Sequence, residues 1–125
     1  MIDRLQEKDI DQVAQIEAEI FSVPWSIKSF KDALASEQNI YLKAETDGQI
    51  VGYCGIWTSF ESADLCNIAV KKEFRKAGLG QKLLEAGIQA AAAKGVERIL
   101  LEVRQSNKAA IRLYEKNGFQ TIGLR

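Results

Sequence analysis

The sequence predicts a mixed α/β fold in which helices pack on a single sheet, and three observations support this fold class. The 125 residues are 46% hydrophobic and 27% charged, which fits one globular domain spanning residues 1–125. Helical spacing of apolar residues alternates with short runs rich in β-branched and aromatic residues. Asp47-Gly48 separates two such runs and is a strong hairpin signal.

The first half of the chain predicts a strand, two helices and a hairpin. Ile2 to Leu5 suits a short strand, and apolar residues from Asp9 to Ile20 recur at helical spacing. Pro24 interrupts that pattern, and Ser26 can cap a second helix that ends near Ser36. The two hairpin strands run from Asn39 to Thr46 and from Gln49 to Ser59.

The second half completes the order β-α-α-β-β-β-α-β-α-β. Its predicted elements are a strand from Ala63 to Val70, a helix from Gly78 to about Lys94, a buried strand from Arg98 to Val103, a helix from the Asn107 cap through Asn117, and a last strand from Phe119 to Arg125. The hairpins are antiparallel, and the later strand-helix-strand segment is compatible with parallel pairing. Because the sequence stops inside its last strand, we expect a C-terminal segment to be missing.

Charge and hydropathy exclude several classes of protein. Lys plus Arg and Asp plus Glu are 17 each, and a duplex-binding protein usually needs a basic excess. No stretch approaches the roughly 18 apolar residues of a membrane helix. Met1 to Arg4 do not begin a secretory signal. We therefore expect a cytoplasmic protein without a direct nucleic-acid or membrane partner, and the oligomeric state is left open.

The chain has no histidine, which removes Ser-His-Asp and Cys-His arrangements and all histidine-based metal sites. Cys54 and Cys66 lack the spacing of a zinc site or a redox pair. We expect them to be free, buried thiols in a reducing cytosol, and we expect no metal.

The segment between Val70 and the helix that opens at Gly78 predicts an anion site. A helix start presents free N–H groups and the positive end of the helix dipole. Glycines at positions 78 and 80 let a phosphate approach the backbone. The nearby cations are Lys71, Lys72, Arg75 and Lys76. Gly80 is followed by Gln-Lys-Leu, so the Walker and dinucleotide patterns do not fit, and a solvated basic helix start is the alternative.

A second group of candidates lies around the predicted strand from Arg98 to Val103. Glu102 interrupts this apolar run near its end, as either a placed base or an edge charge that faces water. Tyr114 falls on the same helical stripe as Asn107 and could equally be a core residue. Asn107 is a good helix cap whatever else it does.

Taken in this order, the motifs resemble the GNAT N-acetyltransferases. The Arg-x-x-Gly-x-Gly pattern at Arg75 to Gly80 is similar to that family's acetyl-CoA pyrophosphate loop, and the resemblance covers essentially the whole chain. The other matching blocks are Phe21 to Ser26, Asn67 to Val70, Leu101 to Asn107 and Leu113 to Phe119. The Pro-Trp-Ser and Leu-Glu-Val-Arg-x-Ser-Asn blocks resemble the branch that acetylates the N-terminal alanine of a small-subunit ribosomal protein.

The resemblance implies a GNAT fold, truncated before its final strand, with acetyl-CoA as cosubstrate. The implied cofactor-binding residues are Ile68, Ala69 and Val70 for the pantetheine arm, Arg75, Lys76, Ala77, Gly78, Leu79, Gly80 and Gln81 for the pyrophosphate, and Asn107. Glu102 would be the base, and Tyr114 the acid that protonates the leaving thiolate. Members of this branch continue past the equivalent of Arg125 with a segment that helps to complete the acceptor side.

The residue types suit such chemistry on their own. An α-amine has a pKa of about 7.7–8.0, so a carboxylate is useful for removing its proton at neutral pH. Tyrosine, with a pKa near 10, remains a proton donor there. Three possibilities stay open: acetylation of a ribosomal-protein N-terminus, acetylation of a lysine or small-molecule amine by a related enzyme, and a CoA-binding module without activity.

Overall fold

In the computed structural model, which describes residues 1–103 and 106–120, five strands form one sheet in the order β1-β2-β3-β4-β5. The strands are β1 (Ile2–Arg4), β2 (Asn39–Thr46), β3 (Gln49–Ser59), β4 (Ser62–Val70) and β5 (Arg98–Leu100). The helices are α1 (Ile10–Ile20), α2 (Ile27–Leu34), α3 (Leu79–Ala93) and α4 (Lys108–Lys116), with 3-10 turns at Glu7–Asp9 and Lys72–Ala77. The predicted fold class and element order are confirmed over this part of the chain, while residues 121–125 of the predicted last strand lie outside it.

Strands β1 to β4 pair antiparallel, and β5 joins β4 in parallel. Asp47 and Gly48 turn the β2–β3 hairpin with positive φ angles of 53° and 77°, as the Asp-Gly signal predicts. The ladder between β3 and β4 shifts register between Gly55 and Ile56, which leaves Cys66 as an extra residue in β4. Such a bulge bends its strand and raises the local twist.

Helices cover both faces of the sheet, and each face carries its own apolar core. Leu83 and Leu84 of α3 are fully buried against one face, which we call the α3/α4 face. Val13 and Ile16 of α1 are fully buried on the opposite face, together with Phe30 of α2, and we call this the α1/α2 face. No helix within the described ranges is long and apolar enough to cross a membrane.

The strand predicted from Arg98 to Val103 is shorter and more exposed than expected. It pairs with β4 at three positions, Ser62 to Asp64, and ends at Leu100. Leu100 and Val103 are 43% and 37% exposed, so the prediction of a buried strand is wrong. The physical reason is that β5 has one neighbour in the described sheet, and that neighbour carries a bulge just beyond the last pair, where a regular ladder is disrupted.

The two cysteines also differ from the expectation. Both are free, but only Cys54 is buried, which raises the pKa of its thiol to about 12. Cys66 is exposed because it alternates along β4 with Leu65 and Asn67, whose side chains are the buried ones. The prediction of a buried thiol is therefore wrong for Cys66.

Candidate active site

The end of β4 leads through a 3-10 turn into α3. Arg75 fixes this connection, because its Nε donates a hydrogen bond of 2.9 Å to the carbonyl oxygen of Val70. Gly78 then adopts a left-handed conformation with a φ of 76°, which favours glycine and turns the chain into the helix. The side chain of Lys76, also predicted to bind an anion, lies outside the described part of the structure.

The first turn of α3 has the properties of an anion site. Its first helical hydrogen bond runs from the Lys82 nitrogen to the Gly78 oxygen at 3.2 Å, so the N–H groups of residues 79–81 have no acceptor within the helix. Among the described residues, a Cβ at Gly80 would meet only Leu113 Cδ2, at an ordinary 3.8 Å. Protein packing therefore does not require this glycine, and its bare backbone remains open to a ligand.

Helix α4 packs beside this helix start. Gln81 of α3 and Asn117, just after α4, exchange two side-chain amide hydrogen bonds of 2.8 Å. The Gln81 side chain is thus committed to joining the helices, which leaves its backbone for a ligand. At the other end of α4, Asn107 Oδ1 accepts a hydrogen bond from the Ala110 nitrogen at 3.2 Å, as predicted for a cap.

The second half of β4 presents an open edge. Beyond Asp64, the described residues of β4 pair with β3 alone, because β5 has already ended. Ile68 is half-buried, while Ala69 and Val70 are buried beneath the helices. An extended chain lying beside this edge can add to the sheet through backbone hydrogen bonds. The Val70 end of this open edge lies next to the turn that leads into α3.

Tyr114 lies in the core of the α3/α4 face and is 8% exposed. Its ring packs edge-on against Phe119 with centroids 5.7 Å apart. Burial, with a smaller effect of the nearby Cys54 thiol, raises the pKa of Tyr114 to about 12. No fully buried polar side-chain atom of the described residues lacks a hydrogen-bond partner, and the Tyr114 hydroxyl makes none with them, so it keeps contact with solvent.

Glu102 is exposed and lies two residues after the end of β5. Asp64 and Leu100 are directly paired, and both are exposed on the side of the sheet opposite α3. Leu101 packs on the α3/α4 core, which directs its neighbours in sequence away from that core. The structure thus places Tyr114 on one face of the sheet and the exposed Glu102 at its edge.

The α1/α2 face holds a polar network that the sequence analysis did not find. Trp57 Nε1 donates to the Tyr41 hydroxyl at 2.9 Å, and this hydroxyl donates to Asn67 Oδ1 at 3.3 Å. In the same layer, the Tyr53 hydroxyl donates to Glu17. One signal was available: Asn67 is a polar residue in an apolar strand, one place before the residues predicted to bind the cofactor.

Within residues 1–103 and 106–120, no group of three or more Cys, Asp or Glu side chains is arranged to hold a metal ion. The predicted site residues that the structure does bring together are those of the β4 end, the α3 start and α4. Ile68, Val70, Leu79 and Tyr114 all belong to the core of the α3/α4 face or pack against it.

Comparison with known proteins identifies a consistent group of relatives. The model of the acetyltransferase (GNAT) family matches residues 10–119. The [ribosomal protein bS18]-alanine N-acetyltransferase of Salmonella typhimurium is 37% identical, over 97% of this chain and 81% of its own length. The crystal structure of the ribosomal-protein-S18-alanine N-acetyltransferase from Escherichia coli is 34% identical, with a TM-score of 0.92 over 100% of this chain and 80% of that one. An aminoglycoside N-acetyltransferase solved in complex with CoA shares the fold, with a TM-score of 0.86 at 14% identity over 100% of this chain and 95% of that one.

Proposed function

The chain belongs to the GNAT acetyltransferase family, and on that premise we propose that it transfers the acetyl group of acetyl-CoA to the N-terminal alanine of ribosomal protein bS18. Relatives from Salmonella typhimurium and Escherichia coli that carry the name of this activity are 37% and 34% identical over nearly the whole chain. A ribosomal-protein acceptor implies that the reaction takes place in the cytoplasm.

The observation that carries this proposal is the anion-binding start of α3 next to the open edge of β4. A CoA molecule needs a site for its pyrophosphate and a surface for its extended pantetheine arm. The first N–H groups of α3 and the bare backbone at Gly80 suit the pyrophosphate. The backbone from Ile68 to Val70 suits the arm, which would lie beside β4 as an added strand.

Arg75 and Asn107 serve this donor site in different ways. The guanidinium of Arg75 holds the turn against Val70 through Nε, and its remaining donors add positive charge near the pyrophosphate. Asn107 caps α4 through Oδ1, which leaves its amide nitrogen to donate to the cofactor. Both residues therefore combine a structural and a binding role in the proposal.

Glu102 is the proposed general base. The acceptor's α-amine has a pKa of about 7.7–8.0, so a large share of it is protonated and not nucleophilic at neutral pH. The exposed Glu102 carboxylate accepts this proton, directly or through a water molecule. Proton transfer of this kind typically accelerates a reaction by about 10²–10⁴-fold.

Tyr114 is the proposed general acid. Its raised pKa of about 12 keeps the hydroxyl protonated at neutral pH, and the hydroxyl retains contact with solvent. As the amine forms its bond to the acetyl carbonyl carbon and the C–S bond breaks, Tyr114 donates its proton to the departing thiolate. No covalent intermediate with the protein is needed.

The test is release of free thiol from acetyl-CoA in the presence of a peptide that begins with alanine and represents the bS18 N-terminus. The matched control is the same peptide with a blocked N-terminus. Release with the free amine alone supports α-amine acetylation. Equal thiol release with the blocked peptide would mean that a lysine side chain is acetylated, and this would contradict the proposal. So would the absence of thiol release with either peptide from a protein that still binds CoA.

A further inference from the structure

The polar network on the α1/α2 face ends next to the reacting end of the proposed donor site. Asn67 stands in β4 between the bulge at Cys66 and Ile68, and Ile68 is the last residue that the proposed pantetheine arm reaches along the strand. The arm runs from the start of α3 along β4, so its thioester end comes to this part of the strand. Asn67 is 6% exposed, and its side chain faces away from the core that contains Tyr114.

The direction of each hydrogen bond in the network follows from chemistry. An indole Nε1–H is only a donor, so Trp57 obliges the Tyr41 oxygen to accept. The single hydroxyl proton of Tyr41 is then free to donate to Asn67. Because a proton donor requires an acceptor, the Asn67 atom that faces Tyr41 is the amide oxygen. The amide orientation is therefore fixed, and its NH₂ group points away from Tyr41.

The backbone of β3 allows this arrangement. A Cβ at Gly55 would collide with the ring of Tyr41, so the absence of a side chain lets this ring lie directly over β3 and reach β4. Tyr41 itself is 4% exposed and held in the core of the α1/α2 face. The donor group of Asn67 is thus supported by a rigid, buried aromatic residue rather than by a mobile side chain.

The NH₂ group of Asn67 has no acceptor among the described residues. No fully buried polar side-chain atom in that part of the chain lacks a partner, so Nδ2 must retain contact with solvent. Asp64 and Cys66, which flank this stretch of β4, are exposed. A pair of oriented N–H donors beside the thioester position is suited to a carbonyl oxygen of an incoming molecule.

Resting on the proposed function, we propose that Asn67 Nδ2 donates a hydrogen bond to the carbonyl oxygen of the acceptor's first residue, with Tyr41 and Trp57 as positioning residues. An N-terminal amino acid carries this carbonyl two bonds from the reacting nitrogen, whereas a lysine side-chain amine carries none nearby. The interaction thus selects an α-amine that belongs to a peptide. It also orients the amine toward the acetyl group.

The experiment measures kcat/KM for two acceptor peptides that begin with alanine. One has a normal first peptide bond, and the other has an (E)-alkene in its place, which removes the carbonyl and keeps the planar geometry. Asn67→Asp keeps an oxygen to accept from Tyr41 and loses the donor. We expect it to lower kcat/KM for the normal peptide about 10- to 100-fold and to leave kcat/KM for the alkene peptide within about twofold.

Tyr41→Phe keeps the ring over Gly55 and frees the Asn67 amide to rotate. It should raise KM for the normal peptide, leave KM for acetyl-CoA unchanged, and give a smaller loss than Asn67→Asp. Tyr53→Phe is the matched control, since it removes a buried hydroxyl from the same face that bonds Glu17 instead of Asn67. The control should lower kcat/KM for the two peptides by the same factor.

Equal losses for both peptides in Asn67→Asp would overturn the inference while leaving the proposed function intact. So would a loss confined to acetyl-CoA binding. If the unchanged protein acetylates no α-amine at all, the proposed function fails and this inference fails with it. Binding of acetyl-CoA, measured by calorimetry on each variant, verifies that the fold is retained.

Discussion

At the scale of single residues, Tyr114 combines burial with a hydroxyl that still reaches solvent. Burial raises its pKa to about 12, which makes it a weaker acid than free tyrosine but keeps it protonated throughout the range in which an enzyme of this kind works. A thiolate leaving group needs a proton donor that stays protonated at neutral pH rather than one that titrates there. The same packing that makes Tyr114 a core residue therefore suits it as a proton donor.

This reasoning predicts the pH dependence of the reaction. The rate should rise as the acceptor amine loses its proton near its pKa of about 7.7–8.0 and then stay level to about pH 10, because Tyr114 remains protonated. Tyr114→Phe should lower kcat by about 10²-fold or more with little change in acetyl-CoA affinity. A fall in the rate of the unchanged protein between pH 8.5 and 10 that disappears in Tyr114→Phe would contradict the raised pKa.

Glu102 allows a complementary prediction. Glu102→Gln should lower kcat at pH 7 by about 10²–10⁴-fold without weakening acetyl-CoA binding, because it removes the proton acceptor and keeps the shape of the side chain. The difference in kcat between Glu102→Gln and the unchanged protein should become smaller above pH 8, where the acceptor amine is already neutral. Glu97→Gln alters another exposed carboxylate near β5 and serves as the control. Equal rates for Glu102→Gln and the unchanged protein at pH 7 would remove Glu102 from the mechanism.

The sequence could name residues by type but not by the contacts that orient them. Glu102 and Tyr114 are visible as a carboxylate and a phenol within recognisable motifs. The role of Asn67 depends on Tyr41, 26 positions away in the sequence, and on a glycine in the strand between them. The register shift that leaves Cys66 as an extra residue in β4 is not revealed by the alternation of apolar residues. These features arise from pairing between strands, which one residue pattern cannot encode.

At the scale of elements, Gly80 and Gly87 of α3 have different surroundings. Of the residues that the structure describes, a Cβ at Gly80 would meet Leu113 alone, at 3.8 Å, whereas a Cβ at Gly87 would come within 2.8 Å of Ile56 Cδ1 and 3.3 Å of Cys54 Sγ. The absence of a side chain at Gly87 lets α3 approach the sheet. At Gly80, packing against the described residues gives no such reason, and the open backbone instead suits the proposed pyrophosphate site.

Gly80→Ala should therefore stabilise the protein while weakening CoA binding. Replacing glycine by alanine inside a helix contributes up to about 1 kcal/mol to the free energy of unfolding. The new methyl group obstructs the pyrophosphate, and we expect the Kd for CoA to rise about tenfold, or ~1.4 kcal/mol. Thermal unfolding and calorimetry measure the two effects separately.

Gly87→Ala is the matched control: overpacking that costs about 1–3 kcal/mol outweighs the same helix-propensity gain of up to about 1 kcal/mol, so the free energy of unfolding should fall by up to about 2 kcal/mol. Its Kd for CoA should stay near that of the unchanged protein at a temperature where both are folded. If Gly80→Ala binds CoA as tightly as the unchanged protein, the pyrophosphate does not lie at this turn.

Most elements were predictable because their signals are local. The Asp47-Gly48 turn and the Ser26 and Asn107 caps each depend on neighbours within a few residues. The end of β5 was not predictable in this way. Apolar residues continue to Val103, yet the strand stops at Leu100, opposite Asp64 and just before the bulge at Cys66 that disrupts the regular ladder of its partner β4. Strand length is set by the neighbouring strand as much as by the strand's own residues.

At the scale of the whole molecule, the two faces of the sheet contribute different residues to the proposed site. In the proposed mechanism, the α3/α4 face supplies the helix start for the pyrophosphate and the buried acid Tyr114. The α1/α2 face supplies the network that ends at Asn67. A donor lying along the edge of β4 is accessible from both faces. Under this proposal the sheet positions groups from two separate cores around one reacting carbon, so activity requires that both cores remain intact.

The buried ion pair between Lys43 and Asp9 contributes to the integrity of the α1/α2 side. Lys43 Nζ lies 2.8 Å from Asp9 Oδ2, and both side chains are less than a tenth exposed. The Gln6 nitrogen also donates to Asp9 Oδ2, at 2.9 Å, so the pair joins β2 to the chain just before α1. Burial alone would raise the pKa of Asp9, but the hydrogen bonds from Lys43 and Gln6 outweigh it and lower the pKa below 3.8.

This lowered pKa predicts how the stability of the protein responds to acid. Because the folded protein holds the Asp9 proton less tightly than the unfolded chain, the contribution of Asp9 is complete above its ordinary pKa of 3.8 and is lost as the pH falls through the lower folded value. The hydrogen bond that Lys43 donates to Asp9 raises the pKa of Lys43, so the contribution of Lys43 to stability is complete below 10.5 and is lost as the pH rises through the higher folded value. Urea unfolding at pH 7, 5 and 3 measures the acid side.

Removing one partner of this buried ion pair should lower the free energy of unfolding far more than removing one partner of an exposed ion pair. Asp9→Asn should lower the free energy of unfolding at pH 7 by about 3 kcal/mol, since it leaves the buried Lys43 with only Glu45 at 3.3 Å. It should also flatten the loss of stability below pH 4. Asp32→Asn, which breaks the exposed pair with Lys28, should change stability by no more than about 0.5 kcal/mol. If the two variants are equally stable, the buried pair does not hold the α1/α2 side in place, and the apolar contacts of α1 with the sheet must do so alone.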